Sequence, residues 1–250
     1  MHAEFATTAV LGAAFTFLLA GFVKGIIGMG LPTVAMGLLS VIMAPIEAAA
    51  LLIVPSFVTN VWQLAMGPRL GLLARRLWPM MAGIVIGTLA GKNLMRDDPG
   101  GRAAIALGAA LIVYGILGLA VPRFSISRGA ERWLSPIVGA ATGLVTAATG
   151  VFVIPAVPYL GALELEKEDL VQALGLSFTV STVALAAILA GNGAFDLPLA
   201  GGSVLALIPA FVGMVAGTWV RGRVSETVFR RCFFAGLILL GMHLASRAVF

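Results

Sequence analysis

Residues 21–32 read Gly-Phe-Val-Lys-Gly-Ile-Ile-Gly-Met-Gly-Leu-Pro and lie in the middle of a long apolar run, residues 5–46, whose only charge is Lys24. As one straight helix, this run would be about 60 Å long, at about 1.5 Å per residue. The hydrocarbon core of a bilayer is only about 30 Å thick. Because glycine and proline weaken or break helices, the stretch predicts a helix that breaks inside a membrane and turns back.

A second run of the same kind lies in the other half of the chain. Residues 133–163 carry no charge and would form a helix of roughly 45 Å. Gly139, Gly143, Gly150 and Pro155 interrupt this run. It therefore predicts a second broken helical hairpin.

The composition excludes a soluble protein. The chain is 60% hydrophobic and 11% charged, with a mean hydropathy of +1.06, whereas soluble domains are about 25% charged. The basic residues lie between apolar runs, so the net charge of +5 indicates membrane topology and not a nucleic-acid partner.

Residues 1–23 contain no Lys or Arg, so we expect no cleaved signal peptide. With Cys232 as the single cysteine, we expect no multi-cysteine metal site and no cofactor.

Six further stretches are bounded by charges and are each suited to one membrane span of roughly 20 residues. Together with the two hairpins they predict an all-α, polytopic membrane protein with the lipid bilayer as its solvent. The six stretches run from Glu47 to Arg69, Arg76 to Lys92, Arg102 to Arg123, Asp169 to Asp196, Asp196 to Arg221 and Arg231 to Arg247.

An internal repeat divides the chain into two halves, residues 1–122 and 123–250. Three patterns recur in order, at offsets that grow along the chain as loop insertions would produce. Gly21-x-x-x-Gly25 matches Gly139-x-x-x-Gly143 at an offset of 118, Ser56-Phe57 matches Ser177-Phe178 at 121, and Pro79-x-x-x-Gly83-x-x-x-Gly87-Thr88 matches Pro209-x-x-x-Gly213-x-x-x-Gly217-Thr218 at 130.

The distribution of basic residues favours inverted repeats. If both hairpins return to their side of entry, each half crosses the membrane three times and the halves have opposite orientation. With Lys24 set aside, four basic residues then lie on one side and eleven on the other, whereas eight single crossings would divide them 7 and 8. Positive residues concentrate in the cytoplasm, so we expect the termini outside and a multi-pass protein of the cell (inner) membrane. The four are Lys92, Arg96, Arg102 and Arg247; the eleven are Arg69, Arg75, Arg76, Arg123, Arg128, Arg132, Lys167, Arg221, Arg223, Arg230 and Arg231.

Lys24 is the first candidate for a substrate-binding residue. A charge deep in a membrane costs at least ~2.5 kcal/mol on insertion scales. One interpretation is a cationic anchor for an anion, next to backbone N–H groups freed where the helix breaks, at Gly25, Gly28 and Gly30. The other interpretation is a lysine that snorkels near a helix end.

The matching segment of the second half offers hydroxyl groups to the same site. Thr146, Thr149 and Gly150 follow Gly143 there, and threonine hydroxyls can donate to an oxyanion. The alternative, which we favour for each threonine taken singly, is a bond to a carbonyl one turn earlier or a cap on the break. If the inverted segments face each other, the two together predict a better site than either alone.

Two polar helix faces complete the candidate site. Ser56, Thr59, Asn60 and Gln63 share one face of the predicted span between Glu47 and Arg69, and the second half carries a matching face. Each face indicates either a lined cavity or a hydrogen-bonded seam between helices, and both interpretations stay open. Asn60, Gln63 and Ser181 are the substrate-binding candidates among them. The matching face consists of Ser177, Ser181 and Thr182.

The Gly-rich segment from Gly21 to Pro32, its counterpart from Gly139 to Pro155, and the two Pro-Gly-Gly helices resemble the sulfite exporter TauE/SafE family of membrane transporters. The resemblance covers nearly the whole chain. It implies a secondary transporter and not an enzyme, with sulfite, a sulfonate or a related small organic anion as the substrate. We expect an exporter that works by alternating access. An anion channel or a structural membrane subunit is the alternative, and a coupling proton or sodium and a homodimer are left open.

Overall fold

A computed structural model describes residues 2–95, 101–120, 125–195 and 197–247, and these residues contain helices and no strand. Seven helices in this part of the chain are long and apolar enough to span a membrane. They confirm the predicted all-helical, multi-pass membrane fold. The helices are α1 (His2–Ile27), α2 (Leu31–Leu39), α3 (Pro45–Ala65), α4 (Leu70–Ala90), α5 (Arg102–Ala120), α6 (Arg128–Thr149), α7 (Ala156–Gly161), α8 (Lys167–Gly191), α9 (Leu197–Val220) and α10 (Glu226–Arg247). The seven candidate spans are α1, α3, α4, α5, α8, α9 and α10.

The predicted breaks are present but narrower than expected. Helix α1 continues through Gly21 and Gly25, and the chain turns only between Gly28 and Gly30, whose φ angles are 77° and 104°. Glycine adopts such positive φ angles at little steric cost. In the second half, α6 ends at Thr149 and Gly150 follows with a φ of 70°. Each long helix is thus followed by a short one, α2 or α7.

Contacts at glycines show the direction in which the long helices pack. A Cβ at Gly21 would meet Ala210, and a Cβ at Gly25 would meet Met214, so α1 and α9 run in the same direction. The same reasoning applies to α4 and α6, where Gly83 meets Pro136 and Gly87 meets Ala140. Each glycine contact is with the backbone of the partner helix, the close approach that small residues permit in membrane proteins.

Two further helix pairs run antiparallel. In one pair, Asn60 of α3 contacts Thr182 and Gln63 contacts Val171 of α8. In the other, Gly108 of α5 meets Gly241 and Gly118 meets Phe234 of α10. If α1–α5 are exchanged in order with α6–α10, the α1–α9 pair becomes the α6–α4 pair. The α3–α8 and α5–α10 pairs stay the same. Inverted repeats would pack in this way, although the boundary predicted at residues 122 and 123 lies outside the described residues.

Contacts between the helix ends favour the hairpin topology over eight single crossings. Asn192 Nδ2 donates to the carbonyl oxygen of Lys92 over 2.8 Å. Arg69 Nη1 pairs with Asp169 Oδ2 at 3.0 Å. With eight single crossings, the members of each pair would lie on opposite sides of the membrane. With two returning hairpins, each pair lies on one side.

The most buried spans are α3 and α8, which pack against each other. Pro55 lies inside α3 and removes one of its backbone hydrogen bonds, because a proline cannot donate to the carbonyl four residues earlier. That carbonyl, on Leu51, accepts instead from Ser203 Oγ of α9 at 2.8 Å. Helix α3 is therefore held at the centre of the bundle by both α8 and α9.

Candidate functional site

Lys24 lies one turn before the end of α1, and its side chain is buried with 4% exposure. Its Nζ donates to Thr59 Oγ1 at 3.1 Å and to Asn60 Oδ1. Both acceptors belong to the predicted polar face of α3. The ammonium group is therefore enclosed by the protein, which supports the anchor interpretation over a snorkelling lysine.

Asn60 connects this lysine to the second half of the chain. Its Nδ2 donates to Thr182 Oγ1 of α8 at 3.4 Å, and Thr182 Oγ1 donates in turn to the Phe178 carbonyl at 2.7 Å. On the other side, Thr59 Oγ1 donates to the Pro55 carbonyl at 2.7 Å. One continuous network thus joins α1, α3 and α8. We call Lys24, Thr59, Asn60 and Thr182 the lysine network.

The lysine network contains one basic group, the Lys24 amine, and no carboxylate. Among the described residues, no carboxylate lies within ion-pairing distance of Lys24; their ion pairs join Arg69 to Asp169 and Glu166, and Arg76 to Glu131. A buried charge surrounded only by neutral groups is costly, because neutral acceptors replace only part of its lost hydration. An anion bound here would supply the missing opposite charge.

Unpaired polar groups lie on the same two helix faces. The buried Oγ atoms of Ser56, Ser177 and Ser181 have no hydrogen-bond partner in the described part of the chain, and neither has Gln63 Oε1. Gln63 Nε2 does bond across to α8, to the Val171 carbonyl at 3.0 Å. The α3–α8 contact is therefore a hydrogen-bonded seam that also contains unused hydroxyl groups. Buried unpaired polar groups are rare in folded proteins, and a missing ligand is one explanation for them.

The predicted threonines of the second break are used differently. Thr146 Oγ1 donates to the Thr142 carbonyl, and Thr149 Oγ1 donates to the Val145 carbonyl, each over 2.7 Å. Thr149 Oγ1 also accepts from the Val151 N–H at 3.1 Å. Both threonines therefore follow the alternative favoured from the sequence, in which a threonine bonds to a carbonyl one turn earlier or caps the break. In this structure neither hydroxyl proton is free to bind an oxyanion.

The predicted glycines likewise serve the helix packing and the breaks. A Cβ at Gly25 would lie 2.3 Å from the Met214 carbonyl oxygen, so Gly25 faces α9. The Gly28 N–H donates to the Lys24 carbonyl at 2.8 Å and is not free for a ligand. A Cβ at Gly30 would lie 3.0 Å from Val23, and one at Gly150 would lie 2.8 Å from Met36 Sδ. Of the predicted site residues, the structure joins Lys24 to Asn60 directly.

Two members of the lysine network were not among the predicted site residues. Thr59 precedes Asn60 on the polar face of α3, and Thr182 follows Ser181 on α8. The spacing of the polar residues marked both faces. The choice of partners could not be deduced, because it depends on how α1, α3 and α8 approach one another.

A cavity of about 710 Å³ reaches both breaks. Its lining includes Met29 from the first break and Pro155 from the second, together with Tyr114 of α5 and Arg230 of α10. The Tyr114 hydroxyl donates to Met29 Sδ over 3.2 Å. Ile27, one turn after Lys24, also lines the cavity. We call this space the vestibule.

A comparison with family sequence models shows a match to the family described as Sulfite exporter TauE/SafE, over residues 13–244. This range includes all ten helices except the outer ends of α1 and α10. No curated protein and no solved structure matches the chain at a significant level.

Proposed function

The chain belongs to the sulfite exporter TauE/SafE family, and from this premise we propose that it exports sulfite, a sulfonate or a related small organic anion. As an integral multi-pass membrane protein of a transporter family, it is not an enzyme. The finer proposal concerns where the anion binds and how it crosses.

The buried, uncompensated Lys24 is the observation that carries the proposal. An oxyanion next to its ammonium group would neutralise the only charge in the lysine network. The free hydroxyl groups of Ser56, Ser177 and Ser181 are donors that such an anion requires. Sulfite and sulfonates present several acceptor oxygens around one sulfur atom, so one cation and several hydroxyls suit them.

The arrangement of the helices supports alternating access. The lysine network joins α1 and α3 of the first half to α8 of the second half, so a movement of one half against the other would change the surroundings of the anion. Transporters with inverted repeats bind substrates between the repeats and open them to each side in turn. We propose that residues 1–122 and 123–250 are such repeats, in the cell (inner) membrane.

The vestibule is the proposed path on the side that is rich in basic residues. Two carboxylates, Glu164 and Glu226, line it beside Arg230, so the vestibule supplies a path to the breaks without a net positive charge. By the positive-inside rule, this side faces the cytoplasm.

Flux of radiolabelled sulfite and of a small sulfonate into proteoliposomes tests the proposal. The variants are Lys24→Ala and Lys24→Arg, with Lys92→Ala as a matched control, because the exposed Lys92 carries the same charge outside the network. We expect saturable flux in the wild type and in Lys92→Ala, its loss in Lys24→Ala and partial retention in Lys24→Arg. Equal flux in Lys24→Ala would move the site away from Lys24.

The same preparation separates a carrier from a channel. A carrier shows saturation and exchanges labelled for unlabelled anion when both sides contain it. Linear flux without counterflow would instead indicate an anion channel. If the wild type moves none of the tested anions, the proposed substrate class is wrong.

A further inference from the structure

A second charged region lies between α4 and α6, apart from the lysine network. A groove of about 900 Å³ runs along this helix pair. Arg76 of α4 and Arg128, Glu131 and Arg132 of α6 line one end. Because the two helices run in the same direction, their first turns bring these charges to the same end of the groove.

Two of these four charged side chains form an ion pair with each other, and the other two, both arginines, do not. Arg76 binds Glu131 with two hydrogen bonds, Nε to Oε1 at 2.7 Å and Nη2 to Oε2 at 2.8 Å. Within the described residues, Arg128 and Arg132 have no carboxylate partner. Both are exposed and lie one turn apart on α6. This end of the groove therefore carries two free positive charges.

The rest of the groove is apolar and faces outward. Pro79, Ala82 and Ile86 of α4 continue the lining, with Pro136 and Ala140 of α6 opposite them. Ile86 is 65% exposed, so this surface faces lipid in a membrane-spanning bundle. From Arg76 to Ile86 the groove extends about 15 Å along the helix axis, at about 1.5 Å per residue. A charged end followed by an apolar channel matches the form of a phospholipid.

The equivalent groove in the other half lacks these charges. Helices α1 and α9 pack as α6 and α4 do, with glycines at matching positions. The offset of 118 residues places Val10, Ala13 and Ala14 where Arg128, Glu131 and Arg132 stand. The offset of 130 places Ala206 at the position of Arg76. Helix packing alone therefore does not require the charges, since the same packing occurs without them.

We propose that the α4–α6 groove binds one anionic phospholipid from the membrane leaflet on the arginine-rich side. Arg128 and Arg132 hold the headgroup phosphate, the Arg76–Glu131 pair fixes the neighbouring wall, and an acyl chain lies against Pro79 and Ile86. Basic pockets between membrane helices bind anionic headgroups through such charge complementarity. A free inorganic anion fits less well, because most of the groove would give it no polar contact.

Native mass spectrometry of the full-length protein, titrated with phosphatidylglycerol or with phosphatidylcholine of the same acyl chains, tests this site. The test variant is Arg128→Ala/Arg132→Ala. The control is Arg75→Ala/Arg231→Ala, which removes two exposed arginines of the same side that do not line the groove. We expect the Kd of the first bound phosphatidylglycerol to be roughly tenfold higher for the test variant than for the wild type or the control.

A second variant and a competitor keep the result interpretable. Arg128→Lys/Arg132→Lys retains both charges and should retain most of the lipid preference, even if the alanine variant unfolds. Equal losses from the test and control variants would overturn the proposal, because they would indicate only a general surface charge effect. Retention of phosphatidylcholine equal to that of phosphatidylglycerol would also overturn it. Displacement by millimolar glycerol phosphate would assign the groove to a free phosphate and likewise contradict the lipid.

Discussion

At the scale of single residues, the surroundings of Lys24 determine what the site can bind. Its two acceptors, Thr59 Oγ1 and Asn60 Oδ1, are neutral and are themselves held by bonds to α3 and α8. These bonds orient the ammonium group without neutralising it. A positive charge on Lys24 would therefore be available to the anion proposed to bind at the α3–α8 seam.

The substitution Asn60→Asp should neutralise Lys24 with a carboxylate of the protein itself and so compete with a bound anion. A carboxylate next to Lys24 would form an ion pair in a buried site, where opposite charges attract strongly. We expect the KM for sulfite to rise about tenfold or more while the protein still folds. Asn192→Asp, which adds the same charge at a helix end near Lys92, should leave the KM unchanged. Flux measurements over a range of sulfite concentrations would show this, and an unchanged KM in Asn60→Asp would argue against anion binding at Lys24.

The sequence was most informative at this scale where a residue was exceptional. Lys24 is the only charge in residues 5–46, so it could be identified without a structure. Thr146 and Thr149 could not be assigned in the same way, because a threonine in a helix has a bond to its own backbone available in every case. Ser56, Ser177 and Ser181 become distinctive only when their burial and the absence of a partner are known.

At the scale of elements, glycine contacts hold the first helix of each half against the third long helix of the other, α1 against α9 and α6 against α4. The Pro-Gly-Gly patterns indicated a repeat, and the structure shows that they belong to α4 and α9. The sequence placed Gly21 and Gly25 in a broken region, whereas they lie within α1. A glycine at a close helix contact and a glycine at a helix break look alike in a sequence, because both lack a side chain.

Substituting these contact glycines should separate the helix pairs. A Cβ at Gly87 would lie 2.1 Å from the Ala140 carbonyl oxygen, and a Cβ at Gly217 would lie 2.1 Å from the Phe22 carbonyl oxygen. Because the obstacle is backbone, we expect Gly87→Ala and Gly217→Ala each to destabilise the protein by about 1–3 kcal/mol or more. The measurement is the Tm of the detergent-purified variants.

Gly236→Ala is the matched control for these two variants. Gly236 lies within α10, and a Cβ there would meet nothing within 4 Å. We expect an unchanged or slightly higher Tm, since alanine favours a helix by up to about 1 kcal/mol over glycine. If all three alanine variants behaved alike, the close helix contacts would not be what stabilises the bundle.

At the scale of the whole molecule, the predicted hairpins would determine which loops share a side of the membrane. The sequence predicted this topology from the division of basic residues. The contacts from Lys92 to Asn192 and from Arg69 to Asp169 agree with it. The packing of α1 on α9 and of α6 on α4 could not be predicted, because apolar periodicity does not specify which helix packs against which.

Cysteine labelling tests this topology. Cys232 is the only cysteine, so Cys232→Ala provides a cysteine-free background. Ser125→Cys and Gly222→Cys, both at exposed positions, should react with an impermeant maleimide from the same side of oriented vesicles. Lys92→Cys should react from the opposite side. Labelling of Ser125→Cys and Gly222→Cys from opposite sides would show that a hairpin crosses the membrane completely.

The central claim is that an anion completes the site around Lys24, and ligand-induced stabilisation measures this without transport. The Tm of the detergent-purified protein is recorded at increasing sulfite concentrations for the wild type, Lys24→Ala and Lys92→Ala. A ligand that binds only the folded state raises the Tm in a saturable way. We predict a saturable rise for the wild type and Lys92→Ala, and none for Lys24→Ala. An equal rise in Lys24→Ala would contradict the account, because the anion would then bind without the lysine.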